Sequence, residues 1–186
     1  MRTVAGTTPY PWPWDGSCAG DRLALVVAGW DAGWRERADA SHVADVERRV
    51  DDLAAAVTAA GGTVVAVGHG AAPSTPGRPI VASGIDGFHG SGLDATLRAV
   101  GATHLLVAGH GLEAPVHSTL RSANDRGYEC LLVVDAGSPL DPALANAARS
   151  MVEMSGGIFG AVGSTADVLR ALTAAAPLTT IPRSTT

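Results

Sequence analysis

Gly109–Ala136 reads GHGLEAPVHSTLRSANDRGYECLLVVDA, and this stretch decides the fold. It follows His104-Leu105-Leu106-Val107-Ala108, a short apolar run with the composition of a buried strand. The turn Gly109-His110-Gly111 comes next, and then a helix with Pro115 in its first turn, where a missing N–H costs least. Gly127 stops that helix, and Cys130–Val134 reads as a second strand. Strand, tight turn, helix and strand make one βαβ unit. Such units put their chemistry in the turn before the helix. Helix N–H groups and the helix dipole point out of that turn, and its glycines let a ligand approach the backbone.

The same alternation extends in both directions. Leu23–Ala28 (LALVVA) is a continuous apolar run, the mark of a central parallel strand buried on both faces, and it leads into Gly29-Trp30-Asp31-Ala32-Gly33-Trp34. Ser41–Ala60 is a helix with Ser41 as its cap, an apolar stripe of Val43, Val46, Val50, Leu53 and Val57, and a Gly61-Gly62 stop. Thr63–Val67 is the second strand and Pro79–Ala82 a short third, joined by a Gly/Pro/Ser loop. The loop SGIDGFHGSG (Ser83–Gly92) precedes a helix over Leu93–Val100. Beyond the opening unit, Asp141 caps a helix with Pro142 at its first position, which runs to about Met154 and ends at Gly156-Gly157. Ile158–Val162 is the last strand, and Thr165–Ala174 the last helix, capped by Ser164 or Thr165. Six strands alternating with helices predict an α/β fold, a three-layer α-β-α arrangement around a doubly wound, six-stranded parallel sheet. Residues 1–20 form a Pro/Trp-rich arm, 21–175 the domain and 176–186 a tail. Tyr10, Trp12 and Trp14 alternate with prolines that keep the arm extended, to cover a sheet edge or a neighbouring subunit.

Composition removes several function classes. The chain has 186 residues, enough for one domain that buries roughly 70% of its extended surface. A net charge of −5 without a basic cluster argues against nucleic acid and anionic membrane as partners. No apolar run approaches the roughly 20 residues of a membrane helix, and the N-terminal stretch lacks the apolar core of a signal peptide. With only Cys18 and Cys130, the reading is a reduced, cytoplasmic protein. All 13 basic residues are arginine, so no mechanism that needs a lysine ammonium is open to this chain.

The register of Gly109, Glu113, Val116, Thr119, Ala123, Gly127, Tyr128, Asp135 and Ala136 resembles the isochorismatase-like cysteine hydrolases. That superfamily includes nicotinamidase, N-carbamoylsarcosine amidase, and the biuret and ureidoacrylate amidohydrolases. The resemblance implies strand order 3-2-1-4-5-6, with the pocket between strands 1 and 4 at their carboxyl ends. The family's catalytic aspartate maps onto Gly29, its lysine onto Ala82 or the adjacent Ser83, and its nucleophilic cysteine onto Pro115. The resemblance also gives Glu113 a structural role bonding backbone, and a non-proline cis peptide to His110-Gly111.

Residue chemistry frames the expectations for function. The candidate pocket comprises Trp30, Asp31, Trp34, Phe88, His110, Gly111, Glu113, Pro115 and His117. His69, His89, His110 and His117 lie on or beside loops near it, but no Asp-x-His pair occurs, and neither metal nor cofactor is expected. There is no G-x-S-x-G elbow to supply a serine nucleophile. The leading expectation is a catalytically degenerate member of the superfamily, a non-catalytic subunit or ligand-binding partner. It would form a homo-oligomer, or a hetero-oligomer with an active paralogue, and could take a small amide-like ligand. The alternative is an amide hydrolase with a rebuilt, non-cysteine site of Asp31, Glu113 and His110 or His117.

Overall fold

The structure is a computed structural model and describes residues 3–13, 22–74 and 76–175. Trp14, Cys18 and the tail 176–186 lie outside the described residues. Its centre is a six-stranded parallel sheet of β3 (Leu23–Ala28), β4 (Thr63–His69), β5 (Arg78–Ala82), β6 (His104–His110), β7 (Glu129–Ser138) and β8 (Ala161–Gly163). Their spatial order is β5-β4-β3-β6-β7-β8, which is the expected 3-2-1-4-5-6.

β3 shows how the layers form. All six of its residues are buried, and they alternate between two cores. Leu23, Leu25 and Val27 face Val46, Val50, Leu53 and Val57 of α2 (Ala40–Ala59) and Val168 and Leu172 of α6 (Thr165–Ala175). Ala24, Val26 and Ala28 face the other layer. That layer contains Leu93 and Leu97 of α3 (Leu93–Ala99), Leu120 and Ala123 of α4 (His117–Asp125), and Ala148 and Val152 of α5 (Ala145–Glu153). A continuous apolar strand is what this two-sided burial requires.

The arm closes an edge. Thr3–Val4 and Trp12–Pro13 pair as a small antiparallel ribbon (β1 and β2), and Thr8 exchanges two backbone hydrogen bonds with Val162 of β8. Tyr10 donates its hydroxyl to Glu129, and buried Trp12 packs edge-on against His104 with ring centroids 5.4 Å apart. Pairing the edge in this way removes a template for unwanted strand addition.

Several element boundaries differ from the sequence reading. Helix α2 starts one residue earlier than expected, because the carboxylate of Asp39 accepts from the Ser41 N–H and takes over the cap. β6 and β7 both run on, to His110 and Ser138, with a register shift between Val107 and Gly109. The last strand is Ala161–Gly163 and not Ile158–Val162. Ser155 holds residues 155–159 in a turn by donating to the Val152 carbonyl and accepting from the Phe159 N–H, which leaves Ile158 73% exposed. Asp141 does cap its helix, accepting from Ala143 N–H, but the first turn (Pro142–Leu144) is a 3-10 turn and α5 follows it. Ser164 is the cap of α6, exchanging hydrogen bonds with Asp167.

Candidate functional site

β3 and β6 lie side by side at the centre of the sheet, and their connections leave toward opposite faces. The crevice at their carboxyl ends is where open α/β sheets bind ligands. Gly29, Trp30 and Asp31 follow β3, and His110 and Gly111 lie at the end of β6.

The turn after β6 has a specific local cause. Gly111 is left-handed (φ 72, ψ 60), and Leu112–Val116 form a π-type turn before α4. Pro115 has no N–H to offer the Gly111 carbonyl four residues back. The Val116 N–H reaches it instead, at 3.3 Å, and one extra residue enters the turn. Pro115 therefore sits inside this wider turn, and not at the first position of a regular helix. The His110–Gly111 peptide bond is not cis; among the described residues the only cis bond is Thr8–Pro9.

Gly29 has φ 64, and a Cβ built there would lie 2.3 Å from the His110 carbonyl oxygen and 3.1 Å from Pro115 Cγ. No side chain fits at residue 29 while the backbone of residue 110 and the proline ring stay where they are. Ala82, at the end of β5, is fully buried.

Beside this closed point lies an open one. The rings of Trp30 and His110 stack with centroids 4.6 Å apart and planes 5° from parallel. They line a cavity of about 250 Å³ together with Asp31, Arg35, Glu47, Asp51 and Ser74. His110 Nδ1 lies 2.7 Å from the hydroxyl oxygen of Ser138, and its Nε2 is 3.9 Å from Glu47 Oε1. Burial pushes the imidazole down to about 4; Glu47 partly offsets that effect, so the ring is neutral at neutral pH. Arg35 binds Glu47 through two nitrogens, at 2.6 and 3.2 Å, which holds the Glu47 carboxyl below its usual range. Ser138, His110 and Glu47 line up as hydroxyl, imidazole and carboxylate. Ser138 is fully buried, however, so its hydroxyl has no access to a substrate.

Asp31 is 3% exposed, and its oxygens accept from the backbone N–H groups of Trp34 and His69, at 3.2 and 2.8 Å. It thereby caps the short helix α1 (Ala32–Arg37) and ties it to the end of β4. On the far side of Asp31 is a second cavity of about 310 Å³, lined by Trp34, Arg37, His69, Ser83 and Ile85 among others. His69 Nδ1 donates to the Gly84 carbonyl at 2.7 Å, and Trp34 meets the same ring edge-on.

The structure divides the nine candidate residues. Trp30, Asp31 and His110 share the first cavity, and Trp34 joins Asp31 at the second. Glu113 is a clamp: its two oxygens accept from the N–H groups of Leu140 and Asp141 at 2.9–3.0 Å, fixing the turn after β7. Gly111 and Pro115 shape the closed point. Phe88 is a packing residue, 6% exposed, stacked on Tyr128 with Arg126 over its ring. His117 is buried on α4, where burial and nearby Arg121 lower its pKa. Asp31, Glu113, His110 and His117 are thus not gathered around one cavity. Among the described residues no group of three or more His, Cys, Asp or Glu is placed to hold a metal ion. Sequence reading missed Arg35, Glu47, Asp51 and Ser74. Glu47 and Asp51, four residues apart on α2, share one side of that helix, a spacing that was visible but carried no pointer to His110.

The sequence matches the isochorismatase domain over residues 24–167. Solved structures share the fold. An isochorismatase family protein from Burkholderia thailandensis is 22% identical, with 82% of this chain and 96% of that one covered at a TM-score of 0.70. A hydrolase described as of the isochorismatase family, from Chromobacterium violaceum, is 23% identical, with 90% and 100% covered at 0.69. The nicotinamidase from Staphylococcus aureus is 14% identical, with 77% and 99% covered at 0.65. With the domain match spanning most of its length and the sheet order agreeing, the chain belongs to the isochorismatase family.

Proposed function

We propose that this chain is a catalytically degenerate member of a hydrolase family, acting as a non-catalytic subunit or a ligand-binding partner. One observation carries the reading. Residue 29, where the resemblance puts the catalytic aspartate, has no room for a side chain, because the His110 carbonyl and the Pro115 ring fill that space. The position matched to the lysine holds Ala82 or the adjacent Ser83, neither able to carry a positive charge, and that matched to the cysteine holds Pro115, which has no nucleophile. The carboxylates that a rebuilt site would use, Asp31 and Glu113, are engaged with backbone N–H groups.

A subunit role is tested by native mass spectrometry of the protein isolated from its own cells. Arrival with a homologous chain that has the Asp, Lys and Cys supports the subunit role. Arrival as a homo-oligomer moves the function to this chain's own cavity. Hydrolysis of a simple amide that stops on Asp31→Asn or Glu113→Gln substitution would overturn the reading altogether.

A further inference from the structure

The cavity beside the closed point is built for binding, and its lining narrows what it can hold. The Ser138 hydroxyl is fully buried, and among the described residues its hydrogen-bond partner is His110 Nδ1 at 2.7 Å. A buried hydroxyl hydrogen needs an acceptor, so Ser138 donates and Nδ1 accepts. The proton of the neutral ring then sits on Nε2. That side chain is 2% exposed, and among the described residues its Nε2–H makes no hydrogen bond; Glu47 Oε1 lies 3.9 Å away, lining the same cavity. A ring donor that opens on the cavity and a carboxylate separated by that gap fit one atom that accepts from the first and donates to the second. A hydroxyl group does both.

Charge sets the other requirement. Asp31, Glu47 and Asp51 line the cavity against the single guanidinium of Arg35, which Glu47 already engages. Three carboxylates and one guanidinium leave the lining two charges negative. Asp51 lies one helical turn from Glu47, about 5–6 Å away at Cβ, close to the reach of a two- or three-atom spacer.

We propose that the Trp30–His110 cavity binds a small hydroxylated ammonium compound, its hydroxyl bridging His110 Nε2 and Glu47 and its cation lying toward Asp51. This deepens the ligand-binding reading above and rests on it. The neutral imidazole suits the role, because a charged ring in the same place would repel the cation.

The test is calorimetric titration of the full chain, in phosphate buffer, with three probes of one size: 2-amino-1,3-propanediol, glycerol and glycerate. Acetamide serves as an amide control. The amine is expected to bind at least tenfold more tightly than glycerol, with no detectable binding of glycerate, and more weakly as sodium chloride is raised. Glu47→Gln and Asp51→Asn, both on the surface of α2, are each expected to cut the preference for amine over glycerol at least fivefold while circular dichroism stays unchanged. Equal binding of amine and glycerol, stronger binding of acetamide, absence of binding by every probe, or indifference to both substitutions overturns the proposal. None of those results involves turnover, so the degenerate-enzyme reading stands or falls separately on the amide assay.

Discussion

Two points a few ångströms apart at the carboxyl end of the sheet have opposite characters. At one, Gly29, the His110 carbonyl and the Pro115 ring meet so closely that no Cβ fits. At the other, the side chain of the same His110 stacks on Trp30 and borders a charged cavity. The backbone of residue 110 closes one site while its side chain opens onto the next. At the first point the chain presents a glycine, a backbone carbonyl and a proline ring. Of the polar groups at the second, Glu47 and Asp51 come from a different part of the chain, α2, and Asp31 and Arg35 from the cap and body of α1.

The largest effect should come from reopening the closed point. Gly29→Asp places a side chain against a backbone carbonyl at a positive φ, and we expect a loss of about 3 kcal/mol or more, read by chemical denaturation. The triple substitution Gly29→Asp, Ala82→Lys, Pro115→Cys should not restore amide hydrolysis; measurable turnover by that variant would show that the point is not closed.

The open point should announce itself through pH. His110 titrates at about 4 in the folded protein, against roughly 6.5 when unfolded. Between those values the unfolded chain binds the extra proton. Stability from this group is therefore full above about pH 6.5 and is lost as pH falls toward 4, by on the order of 3 kcal/mol. His110→Phe keeps a ring against Trp30 and should flatten that slope; an unchanged slope would assign the titration elsewhere.

Smaller effects separate the supports of the two points. Glu113→Ala deprives the Leu140 and Asp141 N–H groups of their acceptor, and should cost about 2 kcal/mol in urea unfolding without altering ligand binding. Ser138→Ala removes one buried hydrogen bond to His110, worth about 1 kcal/mol, and frees the ring to change tautomer. A shift in the imidazole nitrogen NMR signals would report that change.

The alternation of buried strands and covering helices was legible because β3 is apolar throughout and α2 has a clean 3.6-residue stripe, while the strand order came from the family resemblance. The resemblance implied that Glu113 bonds backbone around the turn after β6, and the backbone it bonds is that of the turn after β7. The element ends were not legible. Asp39 and Ser41 are both competent caps, and only the hydrogen bonds in three dimensions choose between them. The π-type turn needed the knowledge that the Gly111 carbonyl would be left without its usual donor by Pro115. The cavity was half legible: Trp30, Asp31 and His110 flank the switch point in sequence, while Glu47 and Asp51 come from the polar side of a helix that reads as ordinary solvent-facing surface.

The central claim is that this family member does not hydrolyse amides, and a steady-state ammonia-release assay tests it most directly. Purified wild-type protein would be incubated with nicotinamide, acetamide and an N-carbamoyl amino acid, beside an active nicotinamidase as a positive control. The account predicts release indistinguishable from buffer for all three. Sustained release that is lost in Asp31→Asn or Glu113→Gln would contradict it and place a working, non-cysteine site in this fold.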